Sequence, residues 1–141
     1  MELQRIEQQE EFDTEMMARS IASYAWDRKA LNTVVLDLRG RVSYTDFVVI
    51  ATGTSDRHVL AVSKYISTQV KHDYGIHTMS REGIEFGQWA LTDFGDVILH
   101  VFSGSTREEY DLERMWMDAP KLELEDRPAA LYGYFELREF E

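Results

Sequence analysis

The tetrad Thr52-Gly53-Thr54-Ser55 closes a run of β-branched and apolar residues, Phe47-Val48-Val49-Ile50-Ala51, and is followed by Asp56. A strand that ends in Gly and Ser/Thr and runs into a helix can hold a phosphate on the free N–H groups of the helix start. A nucleotide-binding or nucleotidyl-transferring enzyme would use such a junction. The loop, however, has no Lys, and Asp46 and Asp56 add negative charge nearby. Its spacing is not the G-x-x-x-x-G-K-[ST] of a phosphate-gripping loop. The alternative is a tight turn followed by an N-cap at Ser55.

Metal-assisted phosphoryl transfer needs convergent carboxylates, commonly at i and i+2 of one strand, where both side chains share a face. Asp37 has Val35 and Arg39 at those positions. Asp93 and Asp96 flank a turn and are expected to diverge. His58, His72, His77 and His100 fall in no H-x-x-x-H or H-E-x-x-H spacing. His100, in mid-strand, reads as a hydrogen-bonded core residue, and His72 and His77 read as solvated. Gly104-Ser105 does not supply the G-x-S-x-G elbow of a serine nucleophile. No cofactor or metal is expected.

The elements that position these residues follow from periodicity. Asp13 or Thr14 can cap a helix to about Ala30, with Met17, Ile21, Tyr24 and Ala25 at helical spacing and Asn32 as a stop. Val34–Leu38 and Phe47–Thr52 read as strands. Ser55 caps a helix to about His72, ended by Tyr74-Gly75. Ile76–Ser80 reads as a short strand. Gly87–Asp93, the turn Phe94-Gly95 and Asp96–Phe102 read as a hairpin. The unbroken apolar run of that last strand predicts a central place in the sheet. Thr106, with Glu109 three residues on, reads as a capping box opening a helix to about Met117. The order α-β-β-α-β-β-β-α predicts one α/β (α+β) domain with a mixed sheet packed by helices.

Two surfaces are ambiguous in the pattern. Trp89, Leu91 and Asp93 share one strand face and Gln88, Ala90 and Thr92 the other. If the small residues face the helices, Trp89 and Leu91 form a binding patch; otherwise they are core. In the last helix, Tyr110, Arg114 and Met117 form one stripe and Leu112, Met115 and Trp116 another. That is too much large side chain for a helix with one wet face.

The 141 residues carry a net charge of −11 and no Cys. Disulfides and thiolate chemistry are thereby excluded. Residues 1–15 contribute −5, residues 118–141 −4 and the long middle only −2. A nucleic-acid groove would want the opposite sign, so no DNA partner is expected, whereas a basic protein partner is compatible, as is simple solubility. No apolar run approaches the length of a membrane helix, and no secretory or transit signature opens the sequence. A cytoplasmic protein is expected.

The blocks Val35–Leu38, Ser43–His58, Glu82-Gly83, Gly87–Phe102 and Tyr110–Trp116, in that order, resemble the ribosomal silencing factor (Iojap-related) family. The resemblance covers residues 14–119. It leaves an acidic lead at 1–13 and a C-terminal extension at 120–141, where Tyr132, Tyr134 and Phe135 cluster. It implies a nucleotidyltransferase-like topology without the acidic catalytic set, and so no enzyme. It implies binding to the large ribosomal subunit through its protein number fourteen, blocking small-subunit joining and repressing translation under nutrient limitation. Carried onto this sequence, the contact residues it implies are Trp89, Leu91, Asp93, Asp96, Arg107, Tyr110, Glu113 and Trp116. Trp89 and Leu91 would be apolar anchors. Asp93, Asp96 and Glu113 would pair with basic groups, and Arg107 would reach an acid or rRNA. A homodimer off the ribosome would follow if the apolar patch paired with itself.

Overall fold

The computed structural model describes residues 2–83 and 87–124, with side chains from Thr14 onward. Tyr132, Tyr134 and Phe135 lie outside the described residues. The order is α1 (Glu2–Asp27), β1 (Leu31–Asp37), β2 (Phe47–Gly53), α2 (Asp56–Tyr74), β3 (Ser80–Glu82), β4 (Trp89–Asp93), β5 (Val97–Ser103), α3 (Gly104–Tyr110) and α4 (Leu112–Met115). The strands form one mixed sheet, β1-β2-β5-β4-β3. β2 runs parallel to β5, and the other pairs are antiparallel. The apolar run at 97–102 therefore does sit centrally. Its neighbour β2 is buried at every position, as a strand covered on both faces must be.

One face of the sheet packs against α1 and α2. Val35, Phe47, Val49, Ala51, Ala90, Val97, Leu99 and Val101 meet Met17, Ile21 and Ala25 of α1 and Val59, Val62, Ile66 and Val70 of α2. The helical residues recur at three- and four-residue steps, which is the stripe a helix needs to lie on a sheet. Burying each such side chain contributes about 1.5–3 kcal/mol. The Ser55 side chain caps α2 by accepting from His58 N at 3.0 Å. Gly75, at φ 68°, ends the helix with its N–H on Lys71 O.

Three helix boundaries differ from the sequence expectation. α1 begins at Glu2, so Asp13 and Thr14 are interior residues rather than caps. Residues 2–12 are mostly Glu, Gln, Leu, Arg and Ile, several of them strong helix formers, and propensity outweighs the local cap signal. The same helix ends at Asp27, and the residue that turns the chain out of it is Lys29, not Asn32. Lys29 adopts φ 61°, Ala30 N bonds Ala25 O at 3.0 Å and Lys29 N bonds Trp26 O at 2.9 Å. That is the paired 6→1 and 5→2 closure usually made by Gly, here anchored by the buried Ala30. Asn32, at φ 50°, instead forms the irregularity between Leu31 and Val34 of β1. The helix expected from Thr106 to Met117 is broken at Asp111, φ 42°, into two short pieces. Thr106 is buried inside α3 and accepts from Ser103 Oγ at 2.7 Å.

The strand expected at Ile76–Ser80 is displaced to Ser80–Glu82, because Ile76 turns into the core. Beyond α4 the chain lies along the free edge of β1. Asp37 N donates to Pro120 O at 2.8 Å and Leu122 N to Val35 O at 2.9 Å. Leu122 and Leu124 pack on the core, and Arg19 donates to Glu123 O at 2.7 Å.

Candidate partner-binding face

The second face of the sheet is only partly covered. Alternation along β4 puts Ala90 and Thr92 under α2, where Thr92 Oγ1 lies 3.2 Å from Ser63 Oγ. Trp89, Leu91 and Asp93 therefore point the other way and are half-buried. The register of the hairpin sets Trp89 opposite Phe102 and Leu91 opposite His100. Trp89 stacks on Phe102 with centroids 4.9 Å apart and meets Tyr110 at 4.6 Å. Such ring pairs contribute about 0.5–1.5 kcal/mol beyond the area they bury.

The Trp89 indole N–H donates to His100 Nδ1 at 3.0 Å. An accepting Nδ1 fixes the neutral Nε2–H tautomer. Burial pushes the His100 pKa down to about 4, so the indole has an acceptor throughout the neutral range. Leu91, Leu112 and Trp116 pack beside Phe102, Ile98 and Ile50 in a second apolar cluster. Tyr110, against Trp89 at its rim, is 54% exposed, and Met115 and Met117, the chain neighbours of Trp116, are 70% and 75% exposed.

The eight residues singled out in the sequence separate into three groups. Trp89, Leu91, Tyr110 and Trp116 share this face. Asp93 and Asp96 sit at the hairpin turn, the far end of β4, which spans about 13 Å at strand rise. Asp93 Oδ1 accepts from Gly95 N at 2.7 Å and shapes the turn, while Asp96 is exposed. Arg107 and Glu113 are paired with each other: Nε to Oε1 is 2.9 Å. Arg107 Nη1 also donates to Asn32 O at 2.6 Å and Thr52 Oγ1 at 2.8 Å. The guanidinium therefore braces α3–α4 against the bulge of β1 and the end of β2. His100 and Phe102 were not among the candidates; the hairpin turns at Gly95-Asp96 rather than at the expected Phe94-Gly95, with Phe94 N on Val97 O at 2.9 Å, and this one-residue shift sets them opposite Leu91 and Trp89. Met115 and Met117, named in the sequence only as members of the two helix stripes, are both exposed.

The junction at 52–55 is occupied by the chain itself. Thr54 N donates to His58 Nδ1 at 2.9 Å, and His58 Nε2 lies 2.6 Å from Arg28 O. A carbonyl only accepts, so Nε2 donates and Nδ1 accepts, and one tautomer satisfies both bonds. Val59 N bonds Ser55 O at 2.9 Å. A Cβ on Gly53 would lie 2.7 Å from Val59 Cγ2, so this glycine serves the close approach of α2 to β2. Asp37 is likewise engaged. Arg39 grips its two oxygens at 3.0 and 2.8 Å. The Arg39 hydrogen bonds hold its carboxyl below the usual range against the opposing effect of burial. Among the described residues no three His, Asp or Glu side chains converge as a metal site.

Residues 11–133 match the family described as "ribosomal silencing factor during starvation". The chain belongs to the ribosomal silencing factor family. It is 39% identical over 99 residues to the ribosomal silencing factor of Halalkalibacterium halodurans, covering 70% of this chain and 84% of that protein. Over 108 residues it is 36% identical to that of Zymomonas mobilis, covering 77% and 80% respectively. A crystal structure of a Chromobacterium violaceum protein superposes with a TM-score of 0.71 at 29% identity, covering 82% of this chain and 94% of that one. The mixed sheet and its helices are thus a fold this family shares. Among the described residues no helix is long and apolar enough to cross a membrane.

Proposed function

We propose that this silencing-family chain binds the large ribosomal subunit through its protein number fourteen and, by its bulk, blocks joining of the small subunit. Translation would thereby be repressed when nutrients are scarce. The role is one of occlusion in the cytoplasm, not catalysis. The observation that carries the reading is the half-covered face on which Trp89, Tyr110 and Trp116 lie beside exposed Met115 and Met117. Aromatic residues and exposed methionines are what protein interfaces concentrate. Asp93 and Asp96 at one end suit a basic partner, as does the net charge of −11. Arg107 and Glu113 support the face from behind. Off the ribosome, the same apolar face could pair two copies of the chain, which gel filtration would detect as a doubled mass.

The test is co-sedimentation of the purified protein with isolated large subunits, followed by a subunit-joining assay. Tyr110→Ala removes an exposed ring and spares the core. It should weaken binding about 30-fold, the effect of losing a hot-spot contact of about 2 kcal/mol. Wild-type protein that leaves subunit joining unaffected would refute the occlusion role.

A further inference from the structure

On the opposite side of the molecule, a cleft of ≈ 330 Å³ opens between the second half of α2 and the segment leading into β3. The polar residues that line it are Ser67, Thr68, Lys71, His77, Thr78 and Arg81, with the Thr68 hydroxyl donating to Lys64 O at 3.0 Å. Among the described residues no carboxylate lines it, and neither Lys71 nor Arg81 makes an ion pair. In a chain of net charge −11, two unpaired cations facing one cleft are not explained by solubility. Ser67 Oγ, in the same lining, is buried without a hydrogen-bond partner.

Ammonium and guanidinium groups only donate hydrogen bonds, and hydroxyls readily do. The complementary ligand is an anion rich in acceptors. The carbonyl end of α2 carries a partial negative charge of about half a unit, which two full cations outweigh. The cleft volume is at the low end for small-molecule sites, and among the described residues its lining has no Phe, Tyr or Trp, the His77 imidazole being its one aromatic ring. We propose that this cleft binds a phosphate group, recognised by its charge and its acceptors. The phosphate belongs to an RNA backbone or to a free phosphate-bearing ligand. Because the cleft lies on the α2 side of the sheet, the inference is independent of the partner face around Trp89.

Thermal unfolding with magnesium-free inorganic pyrophosphate, against sodium chloride of equal ionic strength, reads the site directly. A ligand that binds the folded state raises Tm, so pyrophosphate should raise it and salt should not. Lys71→Ala/Arg81→Ala should weaken binding about tenfold or more, the effect of losing charge-assisted contacts. Both side chains belong to exposed residues, so the variant should fold. Lys64→Ala, on α2 outside the cleft, should leave binding unchanged. Fluorescence anisotropy with a labelled single-stranded RNA separates the sources. RNA binding that the double variant loses and pyrophosphate displaces supports a backbone phosphate. A pyrophosphate response without RNA binding supports a free phosphate-bearing ligand. No response, an equal response in the double variant, or an equal loss in Lys64→Ala overturns the proposal.

Discussion

Arg107→Ala separates a brace from a contact residue. Three acceptors hold the guanidinium, and they are not equivalent. Asn32 belongs to an exposed residue, so water can replace its lost bond at little cost. Thr52 is only 8% exposed, and its hydroxyl loses a charge-assisted donor worth about 1.5 kcal/mol. The Arg107 and Glu113 side chains are 13% and 29% exposed. Their pair therefore lies between a surface bridge, worth about 0–1 kcal/mol, and a buried one, whose breaking costs about 3–5 kcal/mol. The total loss should be about 2–4 kcal/mol. With a urea m-value of about 1.5–2 kcal/mol/M, the unfolding midpoint should fall by about 1–2.5 M. A cycle with Glu113→Ala should show a coupling of about 1–2 kcal/mol. Arg107→Lys should rescue only part, because one ammonium cannot reproduce the fork. If Arg107→Ala unfolded within about 0.5 kcal/mol of wild type yet lost large-subunit binding, the guanidinium would be a contact and the bracing argument would fail.

Trp89→Phe keeps a ring on Phe102 but leaves buried His100 Nδ1 without its donor. It should cost about 1–3 kcal/mol in urea unfolding, whereas Tyr110→Ala, which loses one ring contact at the exposed rim, should cost about 0.5–1.5 kcal/mol. Gly53→Ala forces a Cβ to 2.7 Å from Val59 Cγ2 and 2.9 Å from Val59 N. It should cost about 1–3 kcal/mol; unchanged calorimetric stability would mean that α2 slides freely on β2. His100 titrates at about 4 when folded, against 6.5 for the free side chain. The unfolded chain therefore binds the extra proton first. The stabilising effect of neutral His100 is complete above pH 6.5 and is lost as pH falls towards 4, with a slope of up to about 1.4 kcal/mol per unit. His100→Gln can still accept from the indole, so it should remove this part of the slope; identical acid unfolding of the two proteins would contradict it.

The strands were legible in the sequence because burial writes a period into them. The run at 97–102 and the alternation at 89–93 each have one low-energy register once a helix covers one face. The helix ends were less legible where an atypical residue did the work. Lys29 occupies a left-handed position that pattern reading assigns to Gly, and Asp111 breaks a helix that propensity alone would continue. Both choices are made by tertiary contacts: buried Ala30 in one case, and the apolar seat of Leu112 and Trp116 in the other.

The same break governs how much of the site could be foreseen. An unbroken helix from Thr106 to Met117 would have set Tyr110, Arg114 and Met117 on one stripe, and the sequence offers no reason to prefer it over the other. With the chain turned at Asp111, Tyr110 reaches Trp89 from one side and Trp116 packs beside Leu91 in the same apolar cluster. Arg107 holds the turn by gripping Glu113 beyond it while anchored on Thr52 and Asn32. Thr52 opens the tetrad that first suggested a phosphate cradle. Its hydroxyl and the next free N–H, on Thr54, are both engaged by side chains of this chain. A junction suited in other proteins to gripping a ligand thus serves here as the anchor from which the aromatic face is held open.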